Sequence, residues 1–179
     1  MKWGHSIRRW YVRMLVRSGK AIDIKLSGRY PADVLCNVKG NHFVFDGVDC
    51  GSMEAFLQSL KKEDVEQQRQ IAALKGRDAR KAATTSWRAT QTLYWKGHPM
   101  KRQSEEFIQL VSEAYEALYS QSARFRMGLH ATKGKRLFHT HGKSDPTKTI
   151  LTEREFCDIL TKLRERHADD VLFGMGSRH

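Results

Sequence analysis

Residues 42–61 read His42-Phe43-Val44-Phe45-Asp46-Gly47-Val48-Asp49-Cys50-Gly51-Ser52-Met53-Glu54-Ala55-Phe56-Leu57-Gln58-Ser59-Leu60-Lys61, and they set the class of the fold. His42 to Phe45 is a short run of strand formers, and Asp46-Gly47 is a turn signal. From Gly51 the pattern becomes helical. Ser52 is a suitable N-cap, and Met53, Phe56, Leu57 and Leu60 follow the i, i+3, i+4, i+7 spacing of a buried helix face. Glu54 falls in the first turn, where the helix dipole favours a carboxylate. Strand, turn and amphipathic helix in close succession predict a mixed α+β chain.

On the N-terminal side, Ile22, Ile24 and Leu26 alternate with polar residues and read as a strand. Residues 8–17, RRWYVRMLVR, admit a helix with Arg9, Arg13 and Arg17 on one face, or a basic hairpin. Frequent aromatic and β-branched residues and the following Ser18-Gly19 favour the hairpin. Residues 27–41 read as an ordered loop. On the C-terminal side, residues 64–82 read as polar helical segments with Ile71 and Leu74 facing inward and Gly76 interrupting them. In 84–103, Trp87, Tyr94 and Trp95 supply bulk, while Gly97 and Pro99 argue for a loop. Ser104 then caps a helix with Phe107, Leu110, Val111, Ala114 and Leu118 on one stripe. A shorter helix around 125–129 and a strand at 136–138 follow. The last helix carries a capping box, Thr152 with Glu155, and a hydrophobic staple, Leu151 with Phe156. The reading is one α+β domain, mostly helical, with a small β-sheet from the first half of the chain. Residues 1–30 are its basic N-terminal hairpin or extension, 31–167 its core and 168–179 a tail.

The 179 residues carry 32 Lys+Arg against 20 Asp+Glu, a formal charge of +12. Residues 1–40 alone hold +7, which leaves +5 for all the others. Such an excess attracts polyanions, so nucleic acid or a phosphorylated small molecule is an expected ligand. No apolar run approaches the roughly 20 residues of a membrane span, so no membrane partner is expected. Cys36, Cys50 and Cys157 are widely spaced and odd in number, which fits a reducing cytoplasm better than a disulfide framework.

Generic nucleotide and catalytic motifs are absent: the chain has no GxGxxG, P-loop, HExxH or GxSxG. The segment 45–61, however, resembles the NADAR superfamily, the YbiA-like fold. Its central pattern is a strand, a DG turn and S-x-E-x-x-x-Q-x-x-K at a helix start, and Ser52, Glu54, Gln58 and Lys61 fall on it in register. Leu35-Cys36-Asn37 is similar to the family's L-S-N loop, with Cys36 in place of serine. Gln67 to Ala79 resembles the family's Q-x-x-I-x-x-L-x-G-x-x-A helix, and Trp95 the tryptophan after it. Leu129 to Thr132 is similar to L-L-x-T, and Leu137 to Asp145 to the stretch that ends in an aspartate. The Trp-Gly pair that commonly follows that aspartate is replaced by Pro146-Thr147-Lys148, and His139 stands where a glutamate is usual. The resemblance spans roughly residues 30–166. It implies a site for ADP-ribose-like or ribosyl-phosphate compounds and cleavage of an N-glycosidic bond, including that of ADP-ribosylated guanine, free or in nucleic acid. No cofactor and no metal are implied.

Breaking a ribosyl C–N bond builds oxocarbenium character on the sugar, which a carboxylate can stabilise while activating water. Glu54 is the candidate for that role; alternatively it serves only the helix dipole. Gln58 and Lys61 share its helix face, to orient it and to hold phosphate, or as solvated surface residues. Asn37 holds the site loop or makes an Asx-turn. Trp95 stacks on a base or fills the core. His139-x-His141 has no evident third metal ligand, so a polar or proton-transferring role at the cleft rim is favoured, with Asp145 as its orienting carboxylate. Arg9, Arg13 and Arg17 with Trp3, Trp10 and Tyr11 bind nucleic acid, or form a solvated basic hairpin. The leading expectation is an N-glycosidase. Its rivals are a module that binds an ADP-ribose-like ligand without turnover and a basic nucleic-acid-binding protein.

Overall fold

The structure is a computed structural model and describes residues 3–82 and 84–170. Its elements run α1 (Trp3–Arg17), β1 (Ala21–Asp23), β2 (Phe43–Phe45), β3 (Val48–Cys50), α2 (Met53–Ser59), α3 (Val65–Ala72) and α4 (Gly76–Lys81). Then come α5 (Trp87–Thr90), β4 (Thr92–Trp95), β5 (His98–Lys101), α6 (Glu105–Gln121), α7 (Ala123–His130), β6 (Arg136–Phe138) and α8 (Glu153–Arg166). The predicted α+β class holds. Among the described residues, no helix is long and apolar enough to cross a membrane.

The decisive segment folds as its pattern requires. Ser52 Oγ accepts a hydrogen bond from the Ala55 amide at 3.1 Å and starts α2. Met53, Phe56, Leu57 and Leu60 are each buried to 1% exposure or less. Phe56 meets the edges of Phe43, Phe45 and Trp95, so the β2–β3 ribbon and α2 share one aromatic cluster. Each such side chain contributes roughly 1.5–3 kcal/mol on burial.

Two expectations are corrected. Residues 8–17 are helical, within α1, and the hairpin reading fails at Ser18-Gly19. Gly19 has φ +72 and its amide donates to Val16 O, while that of Lys20 donates to Leu15 O. These are the two bonds of a Schellman cap, so the same dipeptide that suggests a hairpin turn ends a helix. Second, the single small sheet is three separate two-stranded ribbons. β2–β3 and β4–β5 are antiparallel, while β1 pairs in parallel with β6 from the far end of the chain. The β1–β6 pair fixes the start of the loop 139–152, which forms one wall of the site.

In residues 64–82 the inward face differs from expectation. Gln68, Ala72, Gly76 and Ala79 are buried, whereas Ile71 and Leu74 are half-buried. Gly76 opens α4 instead of breaking a helix, because a Cβ there would lie 2.7 Å from Val38 Cα. Gly76→Ala should therefore destabilise by about 1–3 kcal/mol. Thermal unfolding should show a Tm lower by roughly 2–12 °C; an unchanged Tm would mean that α4 slides freely off the Val38 backbone.

The remaining core gathers on α6, whose Phe107, Val111, Ala114, Tyr115 and Leu118 are buried, with Leu110 only half-buried. α8 packs beside it and has the predicted capping box. The stretch 84–103, expected to be loop-like, contains α5 and the β4–β5 hairpin. Of the tail, residues 171–179 lie outside the described part. The three cysteines are buried and unpaired, and burial raises their thiol pKa values, those of Cys50 and Cys157 to about 12.

Candidate active site

Residues four and seven apart on a helix point the same way. Glu54 and Gln58 of α2, with Lys61 in the turn that ends it, thus line one cavity of about 280 Å³. Lys61 Nζ donates to Gln58 Oε1 at 2.6 Å, and Gln58 Nε2 donates to Glu54 Oε1 at 3.0 Å. Arg80 Nε approaches the same oxygen, 3.7 Å from Glu54 Oε1. Asn37 works from below: its carbonyl accepts the Glu54 amide at 2.9 Å, and its side-chain oxygen accepts the buried Tyr115 hydroxyl at 2.6 Å. Glu54 is thereby fixed through its backbone and its side chain, with only 13% of the side chain exposed.

The opposite wall is the segment from His139 to Thr152. Asp23 of β1 accepts the Thr140 amide and hydroxyl, both at 2.9 Å, between His139 and His141. His139 Nδ1 lies 2.7 Å from the Ile24 carbonyl oxygen, which can only accept, so this nitrogen carries a proton and Nε2 is left for chemistry. His139 and His141 both line the cavity. Among the described residues, no group of three or more His, Cys, Asp or Glu is placed to hold a metal ion.

Six of the eight residues singled out in the sequence (Asn37, Glu54, Gln58, Lys61, His139 and His141) therefore meet at one cavity. Trp95 and Asp145 do not. Trp95 is a core residue, its ring 5.6 Å from that of Phe45 and its indole N–H donated to Asp46 at 3.1 Å. Asp145 is half-buried, lines none of this cavity and closes a local turn on Thr147, whose amide and hydroxyl it accepts. The tryptophan at the cavity is Trp87, with Lys61 Nζ 5.9 Å from its ring centre. Its buried indole N–H has no acceptor among the described residues. Arg80, Arg88, Lys143 and Lys148 also line the cavity and were not singled out from the sequence.

These cations make Lys61 unusual. Burial pushes its pKa down from 10.5 to about 8; Glu54 opposes the change, and Arg88 and Lys143 add to it. This corresponds to roughly 3 kcal/mol against the charged form, or ~2 kcal/mol after allowing for solvent in the cavity mouth. The folded pKa lies below the unfolded one, so stability rises with pH between about 8 and 10.5, and below that window the folded chain carries the full penalty. Lys61→Met should therefore raise Tm at pH 7 by roughly 4–8 °C, a gain that disappears above about pH 10.5. A fall in Tm would show that Lys61 is a net stabilising partner of Glu54 instead.

The sequence profile of the bacteriophage protein GP30.3 family matches residues 29–165. An uncharacterised 17.1 kDa protein from the Gp30–rIII intergenic region of Enterobacteria phage T4 is 41% identical over 148 residues, 80% of this chain and 97% of that protein. The NMR structure of the Escherichia coli protein YbiA shares the fold, with a TM-score of 0.59 and 20% identity over 89% of this chain and 90% of that one. Sequence and architecture agree: the chain belongs to the bacteriophage GP30.3 protein family and has a YbiA-like fold.

Proposed function

We propose that the protein is a NADAR-type N-glycosidase that hydrolyses the bond between a nitrogenous base and the ribose of an ADP-ribose-type or phosphoribosyl substrate. The observation that carries this reading is the Glu54 carboxylate, held by Gln58 and the Asn37 loop in a small cavity whose rim is otherwise basic. Such a site is matched to a substrate that is anionic at its phosphates and becomes cationic at one carbon during reaction.

In this reading Lys61, Arg80, Arg88, Lys143 and Lys148 receive phosphate oxygens, and Trp87 flanks the base or sugar. Glu54 stabilises the developing oxocarbenium charge and accepts a proton from the attacking water. The C1′–N bond breaks, the water oxygen joins C1′, and a proton reaches the departing nitrogen from solvent. Because the Lys61 ammonium titrates near pH 8, KM for a phosphorylated substrate should rise above that pH.

The test is incubation with ADP-ribosylated guanosine, ADP-ribosylated oligonucleotide and phosphoribosyl-amine compounds, with chromatography for released base or sugar. Release of either from any of them supports the proposal. Saturable binding of ADP-ribose with no product from any substrate would replace it with the non-catalytic module.

A further inference from the structure

The cavity does not end at Arg80. A second cavity of about 330 Å³ shares Arg80, His139 and His141 with it and adds Lys25 and Arg77. A third, of about 370 Å³, shares Lys25 and His141 with the second and runs along α1, past Arg9, Arg13 and Arg17. His141 borders all three, so they adjoin in a row from Glu54 to the N-terminal helix and are taken together as a trough. Ten lysines or arginines line it against two carboxylates, Glu54 and Asp23. Asp23 is already engaged by Thr140, and Lys25 Nζ lies 3.7 Å from it.

The arginines of α1 call for an anion. Arg9, Arg13 and Arg17 recur every four residues, a like-charge spacing that weakens a helix by a few tenths of a kcal/mol per pair. None of them has a carboxylate within ion-pair distance among the described residues, whereas Arg8, on another face, pairs with Glu153. They repeat about 6 Å apart along the axis, a spacing suited to successive phosphates of an extended strand. Trp10 and Tyr11 are exposed on the same helix and offer faces on which bases can stack. α1 also precedes residue 29, where the family match begins, so this wall of the trough lies outside the matched region.

We infer that the trough binds a single-stranded polynucleotide, its backbone running from α1 past Lys25 and Arg77 so that one nucleotide reaches the Glu54 cavity. This rests on the hydrolase reading for the group that enters the cavity, but not for binding along α1. Cavities of this size take a strand one nucleotide at a time, and a base held in a duplex stack cannot present its glycosidic bond. The basic side chains line a recess between α1 and the 139–143 loop, which suits a chain better than a flat lipid surface.

The test is fluorescence anisotropy with labelled oligothymidylate of about 12 nucleotides. The same sequence annealed to its complement and vesicles of phosphatidylcholine with phosphatidylglycerol serve as comparisons. Six cations (Arg9, Arg13, Arg17, Lys25, Arg77 and Arg80) predict a slope of log affinity against log salt of about −4. R9Q/R13Q/R17Q should reduce the slope to about −2 and weaken binding by more than about tenfold. K25Q/R77Q on the facing wall should also weaken it, with circular dichroism confirming the fold of both variants. Absent oligonucleotide binding, or binding that both variants leave unchanged, overturns the proposal. So does tighter binding of the duplex, or binding of the vesicles alone. Glu54→Gln separates the two readings. Arginine-dependent binding by wild type and this variant, with no turnover of any substrate by wild type, keeps the trough and ends the hydrolase reading. Turnover of a mononucleotide without oligonucleotide binding does the reverse.

Discussion

Glu54→Gln should lower turnover by about a thousandfold while leaving the protein folded. The amide keeps the shape of the carboxylate and can still accept the Gln58 bond through its oxygen, so the cavity wall stays in place. What disappears is the negative charge that faces the developing sugar cation and the base that takes the proton from water. Losing a carboxylate from the first helical turn costs about 0.5 kcal/mol, so Tm should move by only about 1–2 °C. The check is release of base under single-turnover conditions beside a thermal melt. Were Glu54 only a helix-dipole residue, the two readouts would trade places: turnover within about twofold of wild type, and the melt as the only change. KM should change little, because the phosphates are held by other side chains.

The strand, turn and helix of residues 42–61 were readable because local signals agree there. The DG turn, the Ser52 cap and the apolar spacing each demand the same backbone, and helix geometry then places Glu54, Gln58 and Lys61 on one side. Asn37 and His139 were found through family resemblance and His141 through its spacing from His139, and the meeting of the two histidines with Glu54 depends on the β1–β6 pair. No local pattern joins strands so far apart in the chain. The cations Arg80, Arg88, Lys143 and Lys148 come from α4, α5 and one loop, so no spacing links them either.

The choice of tryptophan shows a different limit. Trp95 follows the family pattern, but in β4 it points inward with Leu93, by the alternation of a strand. Gly97 and Pro99 hid that strand by suggesting a loop, although a hairpin turn at Lys96-Gly97 and an edge position for Pro99 satisfy both residues. In α1 the ambiguity was energetic. Aromatic and β-branched residues disfavour a helix by only tenths of a kcal/mol each, and the Gly19 cap together with burial of Val12 outweighs them.

Separating Arg102 from Glu155 should be the largest single loss of stability in the molecule. Arg102 is completely buried, stacks 4.8 Å from the Phe107 ring centre, and donates to both Glu155 oxygens at 3.1 and 2.6 Å. Its Nε also donates to the Thr149 carbonyl at 3.0 Å, so it ties α8 to the Thr149–Thr152 wall of the cavity. Burial works to raise the Glu155 pKa, but hydrogen bonds from Arg102 and Thr152 outweigh it and hold the carboxyl below its ordinary value. The pair's stabilisation is therefore complete above the unfolded carboxyl's pKa and is lost as pH falls through the lower, folded one. Arg102→Met leaves a carboxylate that is 26% exposed and still bonded to Thr152. It should cost about 3 kcal/mol, a Tm loss of roughly 6–12 °C. Glu155→Leu strands a fully buried guanidinium and removes the side-chain half of the capping box as well, so it should cost more, about 4–5 kcal/mol. Combining the two removes both charges at once. The double variant should therefore be more stable than the sum of the single losses by over about 1.5 kcal/mol. Additive losses across that cycle would mean that the two side chains stabilise the fold independently. If they act as a pair, Arg102→Met should also raise KM, because the wall that carries Thr149 is no longer held.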